Sequence, residues 1–469
     1  MKIIAAAIVH GLLSSEVQNE ANKQCSTDHN CGDSASIMKD VNPENILLGG
    51  ADEDTLIKNL IDWQKGFLSE KIEIRRGEYG VGVYAVENLE EDEELFTSDN
   101  NYLIKLDKAF EALNDRVDVN KNYKLDCTDT LSLFVALEVK KREKSDIWPY
   151  LATMPLAYIT PLEYWPEKML EFLTPTGKDL AQSSSEDFKI RWERIDKIYN
   201  SVNQENILTE EEFHHAYSIV FTRYFTDEEP EAFPDWFHED SGCGSLGPVF
   251  DFWNHDHPAN ADWFVDNGME IRTSEAIPAG AELFISYGDN ALQNAKLAQS
   301  YGFTFGDSEK LFEVVNFYEE ELIQACLERL GMSEKICKLK TQLALEMNED
   351  DAGFLDGDCH LKSSAVEYIA SGDPRAINDK NAQKNSQDSR SLRLALWIVY
   401  KRIAELDLLK GKISSSEFTA TEERYLQMAT DMLNSEMHVL ELCVDYLEDD
   451  ALKLERSSMS VDRQKNLSI

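Results

Sequence analysis

The sequence predicts an α+β protein: a β-rich core split by a helical insertion, followed by an all-α C-terminal domain. Apolar residues alternate with period two around residues 72–96 and again around 263–287, the pattern of half-buried strands. Between these stretches, from about residue 105 to 240, apolar residues return at helical spacing, and beyond residue 307 helical spacing runs almost to the end. At 469 residues the chain exceeds what one hydrophobic core organises, so more than one structural unit is expected.

Residues 1–54 read as a leader or linker. Met1 and Lys2 precede a short apolar run over residues 3–9, a weak signal-peptide pattern that His10 interrupts. Residues 18–54 are rich in Asn, Asp, Ser and Gly without any period, so folding is expected from Thr55. Leu56, Leu60, Trp63 and Phe67 then recur at helical spacing. Strands are expected at residues 72–74, 81–85 and 95–96, with a glycine turn ending in Gly80-Val81-Gly82 between the first two.

In the insertion, Leu131, Phe134, Leu137 and Lys141 mark one helix and Phe188, Trp192, Ile195 and Tyr199 another. Trp263-Phe264-Val265 and Met269-Glu270-Ile271 flank Asp266-Asn267-Gly268, where Asn-Gly is a strong hairpin signal. A strand at 283–287 closes the core, which is expected to span residues 55–307. Residues 308–454 form the expected helical domain. In it Leu322, Cys326 and Leu330 lead to a helix stop at Gly331, and Leu392, Leu396, Val399, Ile403 and Leu406 lead to another at Gly411. Leu426, Leu433, Leu440 and Leu447 repeat every seven residues, as in a bundle helix. Residues 376–390 read as a polar loop and 455–469 as a frayed tail.

The 88 acidic and 46 basic residues leave a net charge of −42, which repels a phosphate backbone and argues against nucleic acid as a partner. A basic protein or peptide suits such a surface, although acidity also serves solubility alone. No segment has the eighteen or so unbroken apolar residues a membrane-spanning helix needs. Cys127, Cys243, Cys326, Cys337, Cys359 and Cys443 are scattered and read as buried or idle thiols, while Cys25 and Cys31 are close enough to pair or remain free. No metal is expected, and His214-His215, without a third ligand at suitable spacing, reads as a surface pair.

Four motifs carry chemistry, in this order: the glycine turn, Asp251-Phe252-Trp253-Asn254-His255, Glu282-Leu283-Phe284-Ile285-Ser286-Tyr287-Gly288, and Tyr301-Gly302-Phe303. Together they resemble the SET domain of protein methyltransferases. Ser145-Asp146-Ile147-Trp148-Pro149-Tyr150-Leu151 and Phe221-Thr222-Arg223-Tyr224-Phe225 resemble the branch that contains the Rubisco large-subunit methyltransferases and an actin-histidine methyltransferase. Thr222 departs from the serine common there, and the acidic Glu228-Glu229-Pro230 loop is unusual, which bears on substrate choice.

The resemblance implies S-adenosyl-L-methionine as cofactor and N-methylation of a protein, on lysine or, as in one relative, on histidine. It implies that Tyr79, Gly80 and Val81 receive the methionine part of the cofactor and that Asn254 and His255 bond its adenosine and amino-acid portions. It makes Tyr287 the main catalytic residue and puts Arg223, Asp251 and Tyr301 around the acceptor. By the same resemblance the helical domain binds substrate, and the Tyr287 segment threads beside Asn254-His255. In-line transfer from a sulfonium needs alignment and exclusion of water more than acid strength, so no dedicated base is required. The rival reading is a non-catalytic adaptor of the same fold. Cytoplasm or nucleus is the favoured compartment, with entry to the secretory pathway the alternative from the weak N-terminal signal; oligomeric state is unread.

Overall fold

The computed structural model describes residues 47–118, 123–156, 158, 161–203, 207–226, 233–238, 244–265, 268–288, 293–306, 310–347, 354–356, 359, 361–362, 366, 369–370 and 389–466. The expected leader over residues 1–46, the Cys25 and Cys31 pair, the Glu228-Glu229-Pro230 loop, Asp266-Asn267 and the loop at 376–388 lie outside them. By contacts the chain divides into two compact units, the first comprising residues 1–165, 181–288 and 300–302, the second residues 166–180, 289–299 and 303–469.

The first unit begins earlier than the sequence suggested. Leu48 donates to the Met154 carbonyl and Leu47 bridges Pro155, so residues 47–54 belong to the fold rather than to a leader. Asp52 caps α1 (Glu53–Gln64) by accepting from the Thr55 N–H at 3.0 Å, and Leu56, Ile57 and Leu60 are buried. Two four-stranded sheets follow. One has the order β1 (Phe67–Leu68), β4 (Glu94–Asp99), β9 (Gly268–Thr273) and β8 (Ala261–Val265), all antiparallel. The other runs β2 (Ile72–Gly77), β3 (Gly80–Ala85), β10 (Glu282–Ile285) and β7 (Asn254–His255), where β10 and β7 are parallel. Alternation along these strands sends Ile72, Val83, Leu95, Ile271, Leu283 and Ile285 inward around the fully buried Trp253.

Between β4 and β6 (Gly244–Leu246) the chain is mainly helical: α2 (Leu106–Leu113), α3 (Cys127–Lys141), α4 (Pro175–Ile195) and α5 (Glu210–Arg223). Asp126 caps α3 through the Asp129 N–H at 2.8 Å, and Arg191 bonds Asp126 at 2.7 Å and Asp129 at 2.9 Å. The expected helix faces are buried at Leu131, Phe134, Leu137, Phe188 and Ile195. His214 and His215 are not a surface pair. His215 Nε2 lies 2.9 Å from the Pro155 carbonyl O, the His214 ring packs on Phe188 at 4.1 Å, and burial lowers the proton affinity of both imidazoles.

The second unit contains α7 (Glu319–Leu330), α8 (Glu334–Met347), α9 (Ser389–Ser415) and α10 (Ala420–Asn466), besides α6 (Asn294–Tyr301), most of whose residues belong to it. Gly331 ends α7 at φ +62°, as its position predicts. Gly411 does not end α9, which continues to Ser415, and α10 runs through the expected tail to Asn466. The unit is not all-α: β11 (Val314–Asn316), β12 (Phe354–Asp356) and β13 (Leu361–Lys362) form a small antiparallel sheet. Nor does it begin at residue 308, because Thr174 bonds Glu436 and Phe172 packs on Phe418 at 5.1 Å, drawing residues 166–180 into it. Leu433, Leu440 and Leu447 are buried against α9. Arg402, also buried, is held by Glu321 at 2.7 Å and by the Asn316 carbonyl at 3.1 Å.

The cysteines overturn the expectation of idle thiols. Cys326 pairs with Cys337 and Cys359 with Cys443, with Cα–Cα separations of 5.6 and 5.1 Å, and Cys127 is also disulfide-bonded. No helix among the described residues is long and apolar enough to cross a membrane.

Candidate active site

The glycine turn is the two-residue connection Glu78-Tyr79 between β2 and β3, with Gly77 opposite Gly80. Gly80 adopts φ +101°, which a residue with a Cβ adopts only with strain, and the space a Cβ would enter is open. Gly82 differs: a Cβ there would overlap the Glu282 carboxylate and lie 2.9 Å from Asn254 Nδ2. One glycine therefore shapes the turn and the other makes room for two side chains. Tyr79 projects outward, its ring edge-to-face with Phe284 at 6.4 Å.

Asn254 and His255 reach this turn because β7 pairs in parallel with β10, setting Asn254 opposite Phe284 and His255 opposite Ile285. The two segments implied to lie side by side do so. Asn254 Nδ2 donates to the Val81 carbonyl at 3.2 Å and to Glu282 Oε1 at 2.7 Å. Both neighbours are pure acceptors, which fixes the amide group inward and leaves Oδ1 as the acceptor Asn254 presents. Glu282 Oε2 accepts from Tyr84 at 2.7 Å. Burial, reinforced by this carboxylate, pushes the Tyr84 phenol up to about 12.

Tyr287 lies two residues beyond the end of β10. Its backbone N lies 3.1 Å from His255 Nδ1, which is also 3.2 Å from the Ile285 carbonyl O; one tautomer can make only one of these hydrogen bonds. Its hydroxyl donates to the Trp253 carbonyl at 2.9 Å, and its ring stacks on His255 at 5.1 Å and meets Tyr301 at 4.8 Å. Burial raises the proton affinity of Tyr287, so it stays a neutral phenol. A group of this kind orients a nitrogen; it does not deprotonate one.

Arg223 is the last residue of α5, which starts with a Thr209/Glu212 capping box. The next residues form β5 (Tyr224–Thr226), which pairs with β6, and the chain beyond β6 returns Asp251 to Arg223. Arg223 Nη1 lies 3.0 Å from Asp251 Oδ2, which also accepts from Tyr150 at 2.8 Å. Tyr158 lies within electrostatic reach of the same guanidinium. Asp251 Oδ1 and Arg223 Nε are buried without a hydrogen-bond partner among the described residues. Such atoms cost free energy unless something else satisfies them. Two residues before Asp251, buried Val249 holds φ +74° and ψ −43°, a conformation that costs a β-branched residue about 1–3 kcal/mol and depends on the packing around it.

All nine residues singled out from the sequence thus fall into two connected groups. Tyr79, Gly80, Val81, Asn254 and His255 surround the turn and the β7–β10 pair, while Tyr287 links them to Tyr301 and lies within the electrostatic reach of Arg223 and Asp251. Sequence reasoning gave no role to Tyr84, Glu282, Tyr150, Tyr158 or the Trp253 carbonyl. Tyr150 and Glu282 stood inside quoted motifs, and their polarity within otherwise apolar segments was the one available signal.

Residues 80–288 match the family model of the SET domain. A curated relative, SET domain-containing protein 4 of Artemia parthenogenetica, is 29% identical over 248 residues, covering 51% of this chain and 58% of the relative, a little over half its length. Among solved structures, Rubisco LSMT bound to sinefungin and monomethyllysine superposes with a TM-score of 0.58 at 16% identity, covering 87% of this chain and 94% of that one. Rubisco LSMT bound to AdoMet gives the same score, identity and coverage, and the SET domain of LSMT bound to lysine and AdoHcy gives 0.55, with 86% and 93% covered. These likenesses establish the fold.

Proposed function

We propose that this chain, whose residues 80–288 form a SET domain, is an S-adenosylmethionine-dependent methyltransferase acting on a protein lysine. The observation that carries the reading is the convergence of the glycine turn, the Asn254 amide and the Tyr287 hydroxyl across paired β7 and β10. An adaptor that only bound a partner would have no need of that arrangement. Lysine is the acceptor because the structural neighbours were solved with lysine or monomethyllysine; histidine is the other acceptor the branch implies.

The residues fit the cofactor. The turn offers an open face at Gly80, and carbonyl and amide oxygens beside it suit a cationic amino-acid chain. S-adenosylmethionine, when bound, supplies an electrophilic methyl on a sulfonium. Tyr79, Gly80 and Val81 would hold its methionine part, with Asn254 and His255 on the other side. Tyr287 would orient the incoming nitrogen, whose proton has already left to water, since a neutral buried phenol cannot take it. A lysine starts with a pKa of roughly 10.4, and entry into a dry channel lowers it. Asp251, Arg223 and Tyr301 would hold the acceptor side chain, a reading supported by the unpartnered Asp251 Oδ1 and by the contact of Tyr301 with Tyr287.

The net charge of −42 supports a basic protein or peptide as substrate. The test is transfer of labelled methyl from S-adenosylmethionine to a cell extract, with peptide mapping of the labelled residue. Label on lysine is expected; label on histidine alone would move the acceptor, and no label above that of a Tyr287→Phe control would overturn the reading.

The paired cysteines favour an oxidising compartment, and hence the secretory pathway over cytoplasm or nucleus. Protein isolated from its own cells with thiols blocked at lysis is expected to yield Cys326–Cys337 and Cys359–Cys443 linked peptides by mass spectrometry. Four blocked, unlinked thiols would return the enzyme to a reducing compartment.

A further inference from the structure

We propose that Glu282 is a positioning residue that turns the Asn254 oxygen toward the cofactor and makes the glycine turn selective for a ligand carrying an α-ammonium group. This inference rests on the cofactor reading above. Asn254 has two ends, and only the environment decides which end faces the ligand. Val81 O and Glu282 Oε1 accept both amide hydrogens, at 3.2 and 2.7 Å, so the oxygen is left for the ligand side.

Glu282 is itself held. Tyr84 donates to its second oxygen at 2.7 Å, and the Arg75 guanidinium covers the Tyr84 ring at 3.5 Å. The backbone was cleared for this chain of contacts at two points: a Cβ at Gly77 would overlap the Tyr84 hydroxyl, and one at Gly82 would overlap the Glu282 carboxylate. Two glycines that look like turn residues therefore admit a Tyr–Glu–Asn relay. The Asn254 oxygen then meets a ligand ammonium, with the Glu282 carboxylate behind the amide supplying negative charge. Hydrogen bonds involving a charged group are about twice as strong as neutral ones, so ligand discrimination is expected at the ammonium.

Calorimetry of the full chain with S-adenosylhomocysteine and with its analogue lacking the α-amino group separates this role from a structural one. Glu282→Ala is expected to weaken S-adenosylhomocysteine by about 10–100-fold and the deamino analogue by less than about threefold. Glu282→Gln, close to isosteric, keeps an acceptor for Asn254 without the charge and is expected to restore part of the loss. Equal weakening of both ligands in both variants, or no weakening of either, would overturn the inference while leaving the cofactor reading intact. A folded wild-type chain that binds neither ligand would overturn both.

Discussion

Tyr287→Phe is expected to lower the rate of methyl transfer by about 10²–10³-fold, the usual effect of removing one preorganised polar group from a dry site. The substitution deletes one oxygen and nothing else. The ring keeps its stack on His255 and its contact with Tyr301, so the β7–β10 pair is undisturbed. Cofactor affinity should therefore stay within about threefold of wild type, since the lost hydroxyl bonds a backbone carbonyl and not the turn. Single-turnover transfer measured beside calorimetry reads the two effects separately. A variant that keeps more than about a tenth of the rate would remove Tyr287 from the catalytic role.

Asp251→Ala is expected to cost stability as well as activity. The carboxylate, 6% exposed, receives both Arg223 and Tyr150, and Arg223 is itself only 21% exposed. Removing it strands a largely buried guanidinium, a change that costs about 3–5 kcal/mol. For a unit of this size that corresponds to a fall in Tm of roughly 6–20 °C, measurable by calorimetric melting. Asp251→Asn, which retains an acceptor, should recover much of the stability and little of the activity. If Asp251→Ala melts like wild type, the Arg223–Asp251 pair does not hold α5 to the core, and the placement of the acceptor side of the site loses its support.

How far the sequence reached depended on the distance over which each feature is encoded. The strands of the core were legible because alternation is local, and the segments that carry Asn254, His255 and Tyr287 stood out because each is a short run of neighbouring residues. The partners of those residues were not. Tyr84 is 198 residues from Glu282, Tyr150 is 101 from Asp251, and only folding brings them together. The same holds for the second unit, where Thr174 and Glu436 are 262 residues apart and Cys359 and Cys443 are 84 apart. Three-residue strands such as β11 and β12 carry too few residues to show a period, so the helical pattern around them concealed the small sheet. Gly411 illustrates the opposite error: a glycine stops a helix only when the backbone turns left-handed there, as at Gly331 and not at Gly411. The His214-His215 pair was misplaced because polarity was taken for exposure, while Phe188 and Tyr158 were close enough to cover both rings.

The central claim is that the turn at Gly80 and the Asn254-His255 strand form a site for S-adenosylmethionine, and calorimetric titration of the whole chain with that cofactor tests it most directly. The account predicts micromolar binding by the wild-type chain and its loss when Asn254 and His255 are both replaced by alanine. A folded wild-type chain that takes up no heat from the cofactor would contradict it and leave the SET fold here as a binding scaffold.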